Sequence, residues 1–193
     1  MFLKLVSPQF VFERAQVAVL YSDSLSLQGL SLANGTKVGP NETFDTKLLQ
    51  SDTISEVHVT RAGNITILLS DLVVKKHTDG SVHRVASLLL EGRVQPGHSS
   101  DGRVEVPVGR HALVRVAVRD AEGRPIRQCE VGITTSPATT ECAVDEQGEA
   151  AFLLPPGRYS AYVVGSRLLG KPVSVPFTVE ADVDECGPVD LRP

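Results

Sequence analysis

LVRVAVRDAEGRPI, residues 113–126, and VDEQGEAAFLLPPGRYSAYVV, residues 144–164, decide the fold. Each carries an alternating apolar run and a turn of the form D-x-x-G. In Asp120-Ala121-Glu122-Gly123 the carboxylate can bond its own backbone and the glycine can take positive φ. Pro125 then fixes φ at the mouth of the next strand, where an edge position tolerates its missing N–H. Asp145-Glu146-Gln147-Gly148 repeats the turn. After it Ala150, Phe152 and Leu154 fall on one face and Ala151 and Leu153 on the other. Pro155-Pro156-Gly157 forces a reversal. Beyond it Tyr159, Ala161 and Val163 are expected to face the core, and Arg158, Ser160 and Tyr162 to face outward. Val173, Val175, Phe177 and Val179 read as the final strand.

Taken in order, Asp120, Gly123, Pro125, Asp145, Gly148, Phe152, Leu154, Pro155, Gly157 and Tyr159 resemble the pattern of the carboxypeptidase regulatory-like domains. That family is a prealbumin-like (transthyretin-like) β-sandwich, and the resemblance spans residues ~108–191. It implies an accessory domain that gives spacing, stability or docking. Some prealbumin-like proteins hydrolyse 5-hydroxyisourate. They use a His three residues before the first-turn Asp, an Arg after the second-turn Gly and a closing Tyr-Arg-Gly-Ser. Here those positions hold Ala117 and Glu149, and the C-terminus reads GPVDLRP. The resemblance therefore implies the fold without that chemistry.

Outward from this region the chain keeps reading as strands, with breaks about every ten residues. Val11, Ala15, Val17, Val19 and Tyr21 share one parity, and the Val and Phe content of residues 10–20 favours a strand over a helix. Asn34-Gly35 and Gly39-Pro40-Asn41 are turn signals. Between Ile54 and Leu69 two strands are expected to flank Arg61-Ala62-Gly63-Asn64. In KKHTDGSVHR, Asp79-Gly80 predicts a two-residue type I′ hairpin. That places Thr78 opposite Ser81 and puts His77 and His83 on opposite sheet faces. Residues 1–95 resemble no family; an Ig-like or second prealbumin-like sandwich is a pattern-level guess.

QPGHSSDG, residues 95–102, holds Pro, Gly and Ser and no apolar side chain. Residues 1–95 carry nine basic and nine acidic residues, and residues 96–193 carry ten and fourteen. Lysine falls from five to one across it while arginine rises from four to nine. The expected organisation is a β-sandwich over 1–95, a linker at 96–102 and a carboxypeptidase regulatory-like sandwich over 103–193. The expected class is all-β, with two antiparallel sandwiches in tandem. The chain has 193 residues, enough for two small domains, and 41% hydrophobic residues, which excludes global disorder.

A net charge of −4 with no basic block argues against nucleic acid as a partner. No run approaches the ~20 apolar residues of a membrane-spanning helix. MFLKLV, ended by Ser7-Pro8, is too short for a signal peptide. The expected compartment is cytoplasmic if Met1 is the native start and extracytoplasmic if it is not. Three cysteines, Cys129, Cys142 and Cys186, fit no closed disulfide framework. Cys129 and Cys142 flank a hairpin and could pair, but three free thiols are expected. All three asparagines, Asn34, Asn41 and Asn64, lie in N-x-[ST]. Glycosylation in a secreted eukaryotic protein and a coding bias against Asn both fit that fact.

Catalytic constellations do not emerge. The histidines His58, His77, His83, His98 and His111 are scattered, and no G-x-S-x-G, HExxH or P-loop is present. No zinc-ligand spacing appears. Glu180, Asp182, Asp184 and Glu185 read as a solvated acidic end rather than a calcium loop. Neither a metal nor another cofactor is expected. The expected function is a non-catalytic structural or protein-interaction module, with another protein as partner. The first alternative is carbohydrate or peptide binding as an accessory domain, against which stands the scarcity of aromatics: no Trp, and only Tyr21, Tyr159 and Tyr162 as tyrosines. The second is a novel hydrolase at the domain junction near His98 and His111. The expected interaction surface is His98, Arg103, Arg110, His111 and Arg124, near the turn at 120–124, on the principle that loops held by rigid strands carry recognition.

Overall fold

A computed structural model describes residues 2–21, 43–54, 63–94, 103–134, 139–164 and 174–192. Every regular element among them is a β-strand, so the all-β expectation holds. Two compact units divide the chain. One comprises Met1–Val82 with Leu88–Val108, the other His83–Ser87 with Gly109–Pro193.

The first unit is built on β1 (Phe2–Val6), β2 (Phe10–Tyr21), β3 (Thr43–Gln50), β4 (Thr53–Ile54), β5 (Gly63–Lys76), β7 (Leu88–Val94) and β8 (Arg103–Pro107), while β6 (Val82–Val85) passes into the second unit after Val82. Their sheet runs β6-β5-β2-β3-β4-β1-β8, with β7 also pairing β5. The parity expected along β2 fails at its start. Phe10 and Phe12 are buried and Val11 is not, whereas Ala15 and Val17 are buried as expected. The cause is a pair of irregularities: Phe12 and Arg14 face the adjacent residues Val74 and Val73, and Arg14 and Gln16 then face Val73 and Ser70. One extra residue on each strand restores the register and switches the buried side, as a bulge does. Asp71, on the bulged part of β5, has φ 49°.

Two expected turns are corrected. Gly63 and Asn64 already belong to β5, paired with Val94 and Arg93. At Asp79-Gly80 the loop is four residues, not two. Lys76 N–H donates to Ser81 O at 2.9 Å and Gly80 N–H to Lys76 O at 3.0 Å. Only Gly80 there has positive φ, so the turn is not type I′. His77 lies inside the loop rather than opposite Val82. Its N–H donates to Gln9 O at 2.9 Å.

The expected linker at 96–102 lies outside the described residues, as do Asn34, Asn41, His58 and His98. The chain crosses between the units at Val82/His83, Ser87/Leu88 and Val108/Gly109. β8 runs parallel to β1, from Phe2 opposite Arg103 to Val6 opposite Pro107, and so belongs to the first unit rather than opening the second.

The second unit holds two sheets: β11-β10-β13-β14 and β12-β9-β15, from β9 (Ala112–Val118), β10 (Glu130–Thr134), β11 (Thr139–Ala143), β12 (Glu149–Leu154), β13 (Gly157–Val164), β14 (Ser174–Val179) and β15 (Glu185–Leu191). Val114, Val116, Phe152 and Leu154 of one sheet and Val131, Ile133, Ala161, Val163 and Val179 of the other form a single core. This is the two-layer plan that buries one face of each sheet. The parities read from sequence hold: Ala150, Phe152 and Leu154 are buried in the core, as are Ala161 and Val163. Ala86 is part of the same core and donates its N–H to Ala151 O at 2.8 Å.

The expected last strand is corrected. β14 is not the last strand. ECGPVDL, residues 185–191, forms β15, parallel to β9, with Val189 and Leu191 buried. Its register shifts between Cys186 and Val189, which is how a strand accommodates Gly187-Pro188. Gly187 has φ 116°, and a Cβ there would come 2.5 Å from Arg115 O. Gly-Pro in an acidic stretch reads as a strand breaker, and only the long-range pairing with β9 overrides it.

Candidate functional site

The two D-x-x-G turns of the second unit are the same hydrogen-bonded device used twice. Asp120 Oδ1 accepts from Glu122 N–H at 3.0 Å and from Arg124 N–H at 2.8 Å. Asp145 Oδ1 accepts from Gln147 N–H and Glu149 N–H, both at 2.9 Å. Gly123 and Gly148 each donate to the carbonyl of the leading aspartate at 3.0 Å, with φ of 82° and 73°. Desolvation acts to raise the Asp120 carboxyl, but the Arg124 N–H and guanidinium and the Glu122 N–H outweigh it and hold it below the usual carboxylate range.

The turns also lock to each other. Val118 N–H donates to Gly148 O, and a Cβ at Gly148 would lie 2.9 Å from Pro125 Cβ and 3.0 Å from Val118 O. Pro125 makes an isolated bridge with Arg119, five residues before β10 begins. The P-x-G-x-Y segment has a physical role too. Tyr159 Oη donates to Pro155 O at 2.7 Å, and its ring stacks on Phe177 with centroids 5.7 Å apart.

Of the expected surface, Arg110, His111 and Arg124 have described side chains. Arg110 and His111 precede β9, and Arg124 lies beyond its end. The seven residues of β9 span roughly 23 Å at ~3.3 Å per residue. The single patch expected around the turn at 120–124 is therefore split between opposite ends of one strand. Arg110 donates to Asp182 O and to Asp184 Oδ1, each at 3.0 Å. It clamps the segment joining β14 to β15. His111 Nδ1 donates to Gly109 O at 2.7 Å, and burial pushes its pKa down. Arg124 is held within its own turn, by Asp120 at 2.7 Å and Glu122 at 3.0 Å. Arg103 lies in β8, in the first unit.

The hydrolase positions become neighbours. Ala117 and Glu149 face each other directly across β9 and β12. Glu149 pairs with Arg119 at 3.7 Å, and Arg119 also reaches Asp190 at 3.7 Å. Arg115 pairs with Glu185 at 2.8 Å. Charge on this face thus ties β15 and β12 to β9.

Cys129, Cys142 and Cys186 are free thiols. Cys142 faces Val131, so Cys129 lies two residues out of register with it. Burial pushes both thiols above the ordinary range, with nearby Glu130 and Asp145 adding to the effect at Cys142 and Arg84 opposing it.

One arrangement has no counterpart in the sequence reading. Tyr162 faces outward as expected, but its ring is laid over Gly132, its direct partner on β10. Its hydroxyl donates to Glu141 Oε1 at 3.4 Å. The signal would have been Tyr opposite Gly, which becomes visible only when the register of β13 and β10 is known.

No family model matches the chain, and no curated protein does. Solved structures resemble it distantly. The shaft pilin SpaA from Lactobacillus rhamnosus GG is 10% identical, with 100% of this chain and 96% of that chain covered and a TM-score of 0.33. The Bacillus anthracis TIE protein is 12% identical over 96% of this chain and 34% of its own, with a TM-score of 0.35. BcpA, the major pilin subunit of Bacillus cereus, is 8% identical over 98% and 67%, with a TM-score of 0.33. Likenesses this distant transfer neither fold detail nor function.

Proposed function

We propose that the protein works by contact, as a non-catalytic structural or protein-interaction module, and that its second unit is a carboxypeptidase regulatory-like sandwich. The observation that carries this reading is where the ionisable side chains of that unit are engaged. Asp120 and Asp145 each accept two backbone N–H groups, Arg124 closes its own turn, and Arg110 fastens the approach to β15. Arg115, Arg119, Glu149, Glu185 and Asp190 tie three strands together. Groups engaged this way stiffen a scaffold. The family resemblance is supported by the same turns, since its ordered Asp, Gly, Pro and Tyr positions build them.

The contact surface we favour is the Arg110–His111 end, with another protein as partner; Arg124, at the far end, has a structural role. The test is a quantitative pull-down with the full chain, comparing Arg110→Glu with Arg124→Glu. Partners weakened by the first and kept by the second support the surface, and partners unaffected by either remove it. Turnover of any substrate, abolished by a single His or Ser substitution, would overturn the non-catalytic reading itself.

A further inference from the structure

The second unit is built from two stretches of chain, His83–Ser87 and Gly109–Pro193, and the residues flanking the shorter stretch on both sides belong to the first unit. Ala86 anchors that stretch. It is 6% exposed, belongs to the sandwich core with Val114, Phe152 and Leu154, and donates its N–H to Ala151 O at 2.8 Å. Val85 beside it is buried as well. Arg84 lies close enough to Cys142 of β11 for its charge to favour the thiolate.

The acceptor is a sheet edge. β12 is an outer strand, with β9 as its neighbour in the sheet. Successive residues of an antiparallel strand turn their backbone groups to opposite sides. Those of Glu149 and Ala151 turn away from β9. Glu149 O accepts from Asp145 N–H at 2.8 Å and Glu149 N–H donates to Asp145 Oδ1, so the turn caps its own end of the edge. Ala151 O is served by Ala86. A bare edge is a template for another chain. Here the structure shows what fits it: a segment with a small side chain for the core slot and an N–H for the edge.

Donor and acceptor lie on two pieces of chain, 1–108 and 109–193, joined by a short connection. Val108 is buried and its N–H is fixed to Val6 O at 2.8 Å. Ala112 opens β9, and Leu113 N–H is fixed to Asp184 O at 3.0 Å. Gly109, Arg110 and His111 span the interval, and Gly109 is exposed, with nothing within 4 Å of a Cβ placed there. A short connection favours exchange of an identical segment between copies. The exchanged form keeps every docking contact and frees the connection from closing one chain on itself.

We propose that the β12 edge of one copy takes His83–Ser87 from a second copy of this chain, one donor and one acceptor per chain closing a dimer. The partner is the chain itself because the segment that fits the edge is its own. The Arg110 surface is not part of this contact, and the two readings stand or fall separately.

The test is sedimentation of the full chain from micromolar to millimolar concentration, before and after partial unfolding in urea at the higher concentration and dilution out of it. A mixture of two isotope labels then shows, by a filtered NOE, whether the Ala86 amide of one copy lies against Ala151 of another. Expected are a dimer and that intermolecular NOE. Inserting Gly-Ser-Gly-Ser between Gly109 and Arg110 lengthens the connection and should lower the dimer fraction several-fold. Ala86→Arg, too large and charged for the core slot of either copy, should abolish the dimer. Should Ala86→Arg fail to fold, the insertion and the NOE on the parent decide. The proposal is overturned if the chain stays monomeric at millimolar concentration, if the Ala86–Ala151 NOE remains intramolecular in any dimer that forms, or if the insertion leaves the dimer fraction unchanged.

Discussion

Asp52 and Phe12 hold each other through both backbone and side chain. Phe12 N–H donates to Asp52 Oδ1 at 2.6 Å, and Asp52 N–H donates to Phe12 O at 2.8 Å. Ser51 N–H reaches Glu13 O at 3.2 Å. The β3–β4 turn, with φ of 47° at Ser51 and 65° at Asp52, therefore supplies partners to β2 beyond Arg14 and Gln50, where its ladder with β3 ends. A buried donor left alone there would be costly. Asp52→Ala should cost about 1–3 kcal/mol, and Asp52→Asn, which keeps the acceptor and tolerates positive φ, should cost much less. Urea unfolding of the two variants checks the difference.

The same residue sets a pH dependence. Burial raises the Asp52 carboxyl above its ordinary value, against the Phe12 N–H and the charges of His77 and Lys4, with Glu13 adding to the rise. A raised folded pKa means that the folded state binds the proton more tightly. Its contribution is present below the unfolded pKa and is lost as pH rises through the folded pKa. Asp52→Asn removes that loss, so its stability relative to the parent should improve as pH rises from the unfolded Asp value through the folded one. Paired urea melts across the acid range decide it; an Asp52→Asn stability that stays constant or falls relative to the parent as pH rises would contradict the burial of the carboxylate.

Gly123 and Gly148 occupy equivalent turn positions but unequal space. A Cβ at Gly123 meets nothing within 4 Å, whereas one at Gly148 runs into Pro125, Val118 and Ile126. Gly123→Ala should cost about 1–2 kcal/mol, for the left-handed backbone alone. Gly148→Ala should cost about 1–3 kcal/mol more, because backbone must move. Equal losses in denaturant melts would mean that the two turns do not interlock.

Tyr159→Phe removes only the hydroxyl bonded to Pro155 and should cost about 0.5–1.5 kcal/mol. Phe152→Ala, at a side chain 1% exposed in the core, should cost about 3–5 kcal/mol. Thermal unfolding ranks them, and a reversed order would place Phe152 outside the core.

Thiol counting should find three reactive groups in the unfolded chain. In the folded protein Cys129 and Cys142 should react slowly at neutral pH, since burial disfavours their thiolates. One reactive thiol after unfolding would reveal a bridge.

What the sequence determined lies within a few residues of itself. Asp120–Gly123 and Asp145–Gly148 write their turns locally, because a carboxylate reaches N–H groups two and four residues on and glycine accepts without steric cost the φ that closes the turn. The alternation from Ala150 to Leu154 and from Tyr159 to Val163 likewise carries its own parity, and with it the all-β class. Tertiary structure decided whatever depended on a distant partner. β8 joined β1, which moved the boundary, and ECGPVDL became a strand despite its Gly-Pro because β9 offered a ladder. The shift of parity after Phe12 came from irregular pairing with β5. Arg110 and Arg124, only fourteen positions apart, were sent to opposite ends of β9, and Tyr162 came to rest on Gly132, thirty positions away. Local chemistry fixes a turn, but which strands meet, and so which side chains share a face, is set by pairings whose free energy exists only once the sheets have formed.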